Sequence, residues 1–102
     1  MRHDEREYIK FLQRAVAADG INFCLNCLQE EAGELVTKIS HLRRDRCDID
    51  DVFEEMAHVQ LMIDMCSFAV PEGKSRFSFS NSMRAKVGYI TTALEKREYK
   101  GP

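Results

Sequence analysis

Four stretches of this chain place apolar residues at every third or fourth position, which is the spacing of one face of a helix. No strand is needed anywhere, so the fold class expected is all-α. From Asp4 to Asp19 the stripe is Tyr8, Phe11, Leu12, Ala15 and Val16, and Gly20 supplies the stop. Asn22 is placed to cap a second helix with the stripe Leu25, Leu28, Ala32, Leu35, Ile39 and Leu42. It ends in the basic run Arg43-Arg44-Asp45-Arg46, where cations suit the negative end of the helix dipole.

Asp48, Asp50 and Asp51 crowd the start of a third helix, and Asp51 with Glu54 has capping-box spacing. Its stripe is Val52, Met56, Val59, Ile63 and Cys66, running to about Ala69. Pro71-Glu72-Gly73 breaks it. The Ser-rich segment from Lys74 to Asn81 reads as a loop in which Phe77 and Phe79 pack. Ser80 or Ser82 would cap a last helix, with Met83, Val87, Ile90 and Leu94 on its buried face to about Arg97.

At 102 residues the chain is expected to be a single domain, 1–102, too short to bury a generous core alone. Its four stripes therefore predict self-association as a homodimer or homotetramer. A net charge of −2 with interspersed signs does not suit a general nucleic-acid binder. No apolar run approaches the roughly 20 residues of a membrane span, so no membrane partner is expected. The segment Met1–Arg6 lacks the apolar core of a signal peptide, which makes the cytoplasm the expected location. Cys24 and Cys27 have CxxC spacing, but no second pair completes a tetrahedral zinc site. With Cys47 and Cys66 they read as reduced, packed thiols.

The chemistry lies in two acidic segments, Glu30-Glu31-Ala32-Gly33-Glu34 and Glu54-Glu55-Met56-Ala57-His58. A spacing of three on a helix puts side chains on one face, so Glu31 with Glu34 and Glu55 with His58 form two ligand pairs. Antiparallel packing of the two helices would bring together three carboxylates and one imidazole, a set suited to a divalent cation. Glu30 and Glu54 point about 100° away, as groups supporting the ligands or facing water.

Leu28-Gln29-Glu30-Glu31-Ala32-Gly33-Glu34-Leu35 followed by Phe53-Glu54-Glu55-Met56-Ala57-His58-Val59 resembles the EExxE…ExxD pattern of the MazG-like all-α nucleoside triphosphate pyrophosphohydrolases. The likeness is to the short, single-domain members and covers the two central helices. It implies a four-helix MazG-like bundle, completed by oligomerisation, with Mg2+ or Mn2+ held by Glu31, Glu34, Glu55 and His58. The implied substrate is a nucleoside triphosphate, cleaved between its α and β phosphates to a monophosphate and pyrophosphate. Glu30 or Glu34 would orient the attacking water, and Lys38, Arg84 and Lys86 are the implied phosphate contacts. Phe11, Phe23, Phe77 and Tyr89 are aromatics able to stack on a base, though such side chains more often serve a core.

His58 stands where the family pattern has Asp. A nitrogen donor there shifts preference from magnesium towards manganese and later transition metals, and weakens binding as pH falls towards the roughly 6.5 of free histidine. Two other readings remain open on sequence. Glu55-x-x-His58 is also the spacing of di-iron carboxylate bundles, although each chain carries only one copy. A catalytically silent helical module that binds nucleotide or metal would carry the same residues.

Overall fold

A computed structural model describes residues 5–70 and 74–98, with the side chains of 5–18, 20–70 and 78–98. Three elements follow in order: α1 (Glu5–Arg43), α2 (Ile49–Ala69) and α3 (Lys74–Glu98). Every element is helical, and the described residues contain no strand. The chain divides into two compact units, Met1–Val70 and Pro71–Pro102.

In the first unit, the 39-residue α1 is not one straight rod. Gly20 has φ +57°, in the left-handed region that side-chain-bearing residues avoid, so helical segments 5–19 and 21–43 abut without a loop. The stop expected at Gly20 is therefore present as a change of direction. No cap is used at Asn22, which already lies inside the helix. The reason for the bend is legible in the stripes. At about 100° per residue, the stripe of residues 8–16 is centred roughly 160° from that of residues 25–42, so a straight helix would bury only one of them.

Packing confirms the turn. Sixteen uninterrupted helical residues would separate Tyr8 from Cys24 by about 24 Å along the axis. Instead Tyr8 donates its hydroxyl hydrogen to Asp64 Oδ2 at 2.6 Å, and Met65, the next residue, shares a buried cluster with Leu12 and Cys24. Cys24 is fully buried at this crossing, where a small thiol lets helices approach. Burial pushes the Tyr8 phenol up to about 12, with the Asp64 carboxylate adding to the effect. Burial likewise raises the Cys24 and Cys66 thiols, and neighbouring thiols raise them further. All four cysteines are free, as the sequence reading expects.

The connection from α1 to α2 is short and closed by hydrogen bonds. Arg46 N–H donates to His41 O and Asp45 N–H to Leu42 O, with Asp45 at φ +57°, which is the Schellman pattern for ending a helix. α2 starts at the N-cap Asp48, whose side chain accepts from Asp51 N–H while the Asp51 carboxylate accepts from Asp48 N–H. The capping box thus uses Asp48 and Asp51, one turn earlier than the expected Asp51 and Glu54. An extended Asp48 frees its carboxylate to reach the first turn. α2 ends at Ala69 as expected, but its buried face is rotated: Val52, Glu55 and Met65 are buried, whereas Met56 and Phe53 are exposed. Running back along the second arm of α1, it sets Met62 and Met65 beside Phe23 and Cys27.

The second unit contains α3 alone among described elements. Lys74–Asn81, expected as a loop, is the start of this helix, so Ser80 and Ser82 lie inside it and cap nothing. Serine costs only a few tenths of a kcal/mol relative to Ala, too little to break a helix without Gly or Pro. Phe79 is exposed rather than packed, and so are Met83, Val87, Ile90 and Leu94. Within its own unit this helix has no second element against which to bury them. The break expected at Pro71–Gly73 and the packing expected of Phe77 lie outside the described residues.

Candidate metal centre

One turn beyond the apolar contacts of Cys27 and Met62, the groove between α1 and α2 becomes polar. Glu31 from α1 meets Glu55 and His58 from α2, each offering one ligand atom within 4.8 Å of the others. The antiparallel hairpin brings these residues together, and the i, i+3 spacing keeps Glu55 and His58 on the face turned towards α1. His58 Nδ1 lies 3.2 Å from Glu55 Oε2 and 3.5 Å from Glu31 Oε2. Two carboxylates therefore address a single ring nitrogen.

Glu55 is the unusual member. It is 7 % exposed, the one buried charged residue among those described, and its Oε1 is buried without a hydrogen-bond partner. Burying an unsatisfied carboxylate oxygen costs free energy that a cation would offset. The Glu31 carboxyl is held above its ordinary value, first by hydrogen bonding to Glu55, then by desolvation and the Glu55 charge, with His58 acting the other way. Such a shift is what two carboxylates sharing a small space produce. Two oxygens and one nitrogen form a donor set that fits manganese or magnesium, with positions left for water and phosphate oxygens.

The remaining expected site residues are distributed less evenly. Glu34 and Glu30 are exposed and line the same open cleft, of about 680 Å³, without joining the three-residue cluster. Glu34 is thus beside the ligands rather than among them. Lys38 is half-buried one turn further on and does not line this cleft. Arg84 and Lys86 are exposed on α3, where the Lys86 ammonium lies 5.3 Å from the centre of the Tyr89 ring.

Gln29 and Thr37 also line the cleft, and neither stood out in sequence. Thr37 shares the face of Glu30 and Glu34 by i+3 and i+7 spacing, a signal that was available. Its hydroxyl donates to Gly33 O at 3.2 Å, while Gly33 contributes no side chain to this wall. Comparison with protein-family models, curated proteins and solved structures finds no match to this chain.

Proposed function

We propose that this chain is a divalent-metal-dependent nucleoside triphosphate pyrophosphohydrolase. Glu31, Glu55 and His58 hold the cation, and the substrate is a ribo- or deoxyribonucleoside triphosphate. The observation that carries this reading is the convergence of those three ligands on a groove where a buried Glu55 oxygen lacks a donor. The sequence resemblance to the MazG-like enzymes, carried by the same residues, supports it.

A bound cation supplies charge neutralisation for the phosphates and a lower pKa for water. Glu34, exposed in the cleft beside the ligands, accepts a proton from the attacking water, and Glu30 helps to orient that water. The water oxygen bonds to the α phosphorus and the bond from that phosphorus to the α–β bridging oxygen breaks. Its electron pair leaves with pyrophosphate. Lys38, one turn beyond Glu34 on the same arm of α1, is the proposed phosphate contact, and the proposed working form is a cytoplasmic homodimer or homotetramer.

A second reading, a catalytically silent metal-binding module, is favoured by one feature: no Lys or Arg is among the described residues lining the cleft. A panel of nucleoside triphosphates assayed for pyrophosphate release with manganese and with magnesium decides between them. Metal-dependent release that is lost in Glu31→Gln and in Glu34→Gln is the expected result. Manganese binding without release from any substrate would overturn the enzyme reading in favour of the silent module.

A further inference from the structure

The largest feature that the acidic groove leaves unexplained is the apolar face of α3. Met83, Val87, Ile90 and Leu94 follow one another at spacings of four, three and four, and all are exposed. That interval is the a/d repeat by which helices pair. We propose that α3 pairs antiparallel with α3 of a second copy of this chain, with Met83 against Leu94 of the second copy and Val87 against its Ile90.

Two observations select this occupant and this direction. The stripe is symmetric about the point between Gly88 and Tyr89, so a two-fold axis there makes it its own complement in four successive apolar layers. Charge then distinguishes the orientations. Lys74, Arg76, Arg84 and Lys86 fall in residues 74–86 with no acid among them, whereas both acids of the helix, Glu95 and Glu98, lie in its last turns. Parallel pairing would set four cations beside four cations at the positive end of both helix dipoles. Antiparallel pairing sets that cationic half against a half whose own charges cancel, which carries both glutamates and the negative dipole end. A helix whose described side chains are all exposed also gains little stability alone, because most helical stability in proteins comes from packing an amphipathic face.

The test uses full-length chains carrying Val87→Cys or Ile90→Cys, mixed, oxidised and mapped by peptide mass. The expected product is a disulfide joining position 87 of one chain to position 90 of another, with little linkage of 87 to 87 when Val87→Cys is oxidised alone. A dominant 87-to-87 link would establish parallel pairing, and no link between α3 segments would remove the pairing altogether. Sedimentation provides an independent readout. Wild type is expected at no less than twice the 11.8 kDa monomer mass, and Val87→Asp/Ile90→Asp at a lower multiple. A wild-type monomer, as when the stripe is covered within its own chain, overturns the proposal, as does an assembly unchanged in the double variant. This inference is independent of the metal centre, so loss of catalysis alone does not touch it.

Discussion

Changing Glu55 to Gln separates two consequences of the buried carboxylate, and the two have opposite signs. Without metal, the wild type carries a buried oxygen with no donor and a second carboxylate close by. An unsatisfied buried polar atom costs about 1–3 kcal/mol. Gln has nearly the same volume, brings an amide that donates to Glu31, and removes one of the two like charges. Taking the low end of that range, because the amide still has to be seated in a tight site, the metal-free variant is more stable by about 1 kcal/mol. For a domain of this size that is a rise of about 4–8 °C in Tm. With manganese at 100 times its Kd, the wild type gains about 2.7 kcal/mol by mass action, and the variant, lacking a ligand, gains none. The wild-type Tm should then climb by about 10–20 °C, so the order of melting inverts. Calorimetric melts of both proteins with and without manganese measure this directly, the Kd being set by titration of the wild type. A variant that melts below wild type without metal would refute the cost assigned to the buried oxygen. Equal stabilisation of both by manganese would remove Glu55 from the ligand set.

Glu31 gives a pH prediction. Its raised folded-state carboxyl favours the folded protein below the unfolded carboxyl range, and that contribution is lost as pH rises through the folded value, so metal-free wild type should lose stability over this interval relative to Glu31→Gln. Parallel urea titrations across acidic pH check it, and superimposable pH profiles would contradict it. Gly20→Ala should cost about 1–2 kcal/mol in the same assay, from the left-handed backbone alone, because no atom lies within 4 Å of an added Cβ. Tyr8→Phe should cost about 1.5 kcal/mol, near the lower limit for a hydrogen bond to a charged group since Tyr8 is only half-buried; an unchanged unfolding midpoint would mean the first arm is not held by Asp64. His58→Asp exchanges nitrogen for oxygen and should shift metal preference from manganese towards magnesium, as read by titration of each ion; an unaltered ratio of affinities would place His58 outside the ligand set.

Periodicity was enough to specify helices and the Gly20 boundary, because both depend on local chemistry: a 3.6-residue stripe and a residue able to adopt positive φ. The pairing of Glu31 with Glu55 and His58 was legible for a related reason, since i, i+3 spacing fixes which side chains share a face before any tertiary contact exists. What failed depended on partners outside the segment being read. The buried face of α2 is set by where α1 lies, so Met56 and Phe53 look as apolar as Val52 in sequence yet face outward. The serines of 74–82 suggest a loop only if propensity is read as a rule, when its magnitude is too small to end a helix. Glu34 fits the ligand spacing as well as Glu31 does, and only the position of α2 leaves it outside the three-residue cluster.

The connection between α1 and α2 sets the alignment of chemistry that it does not itself contain. The Schellman bonds at His41–Arg46 and the reciprocal Asp48–Asp51 cap leave it no slack. A residue inserted or deleted there and taken up by α2 as helix would turn Glu55 and His58 by about 100° and slide them by about 1.5 Å, out of the groove. The interval of 24 residues from Glu31 to Glu55 is consequently a fixed dimension of the candidate centre, as constraining as the identity of the residues that form it. In chains that share this centre, length changes should accumulate before Gly20 and after Ala69, and the stretch between should keep its count even where its residues differ.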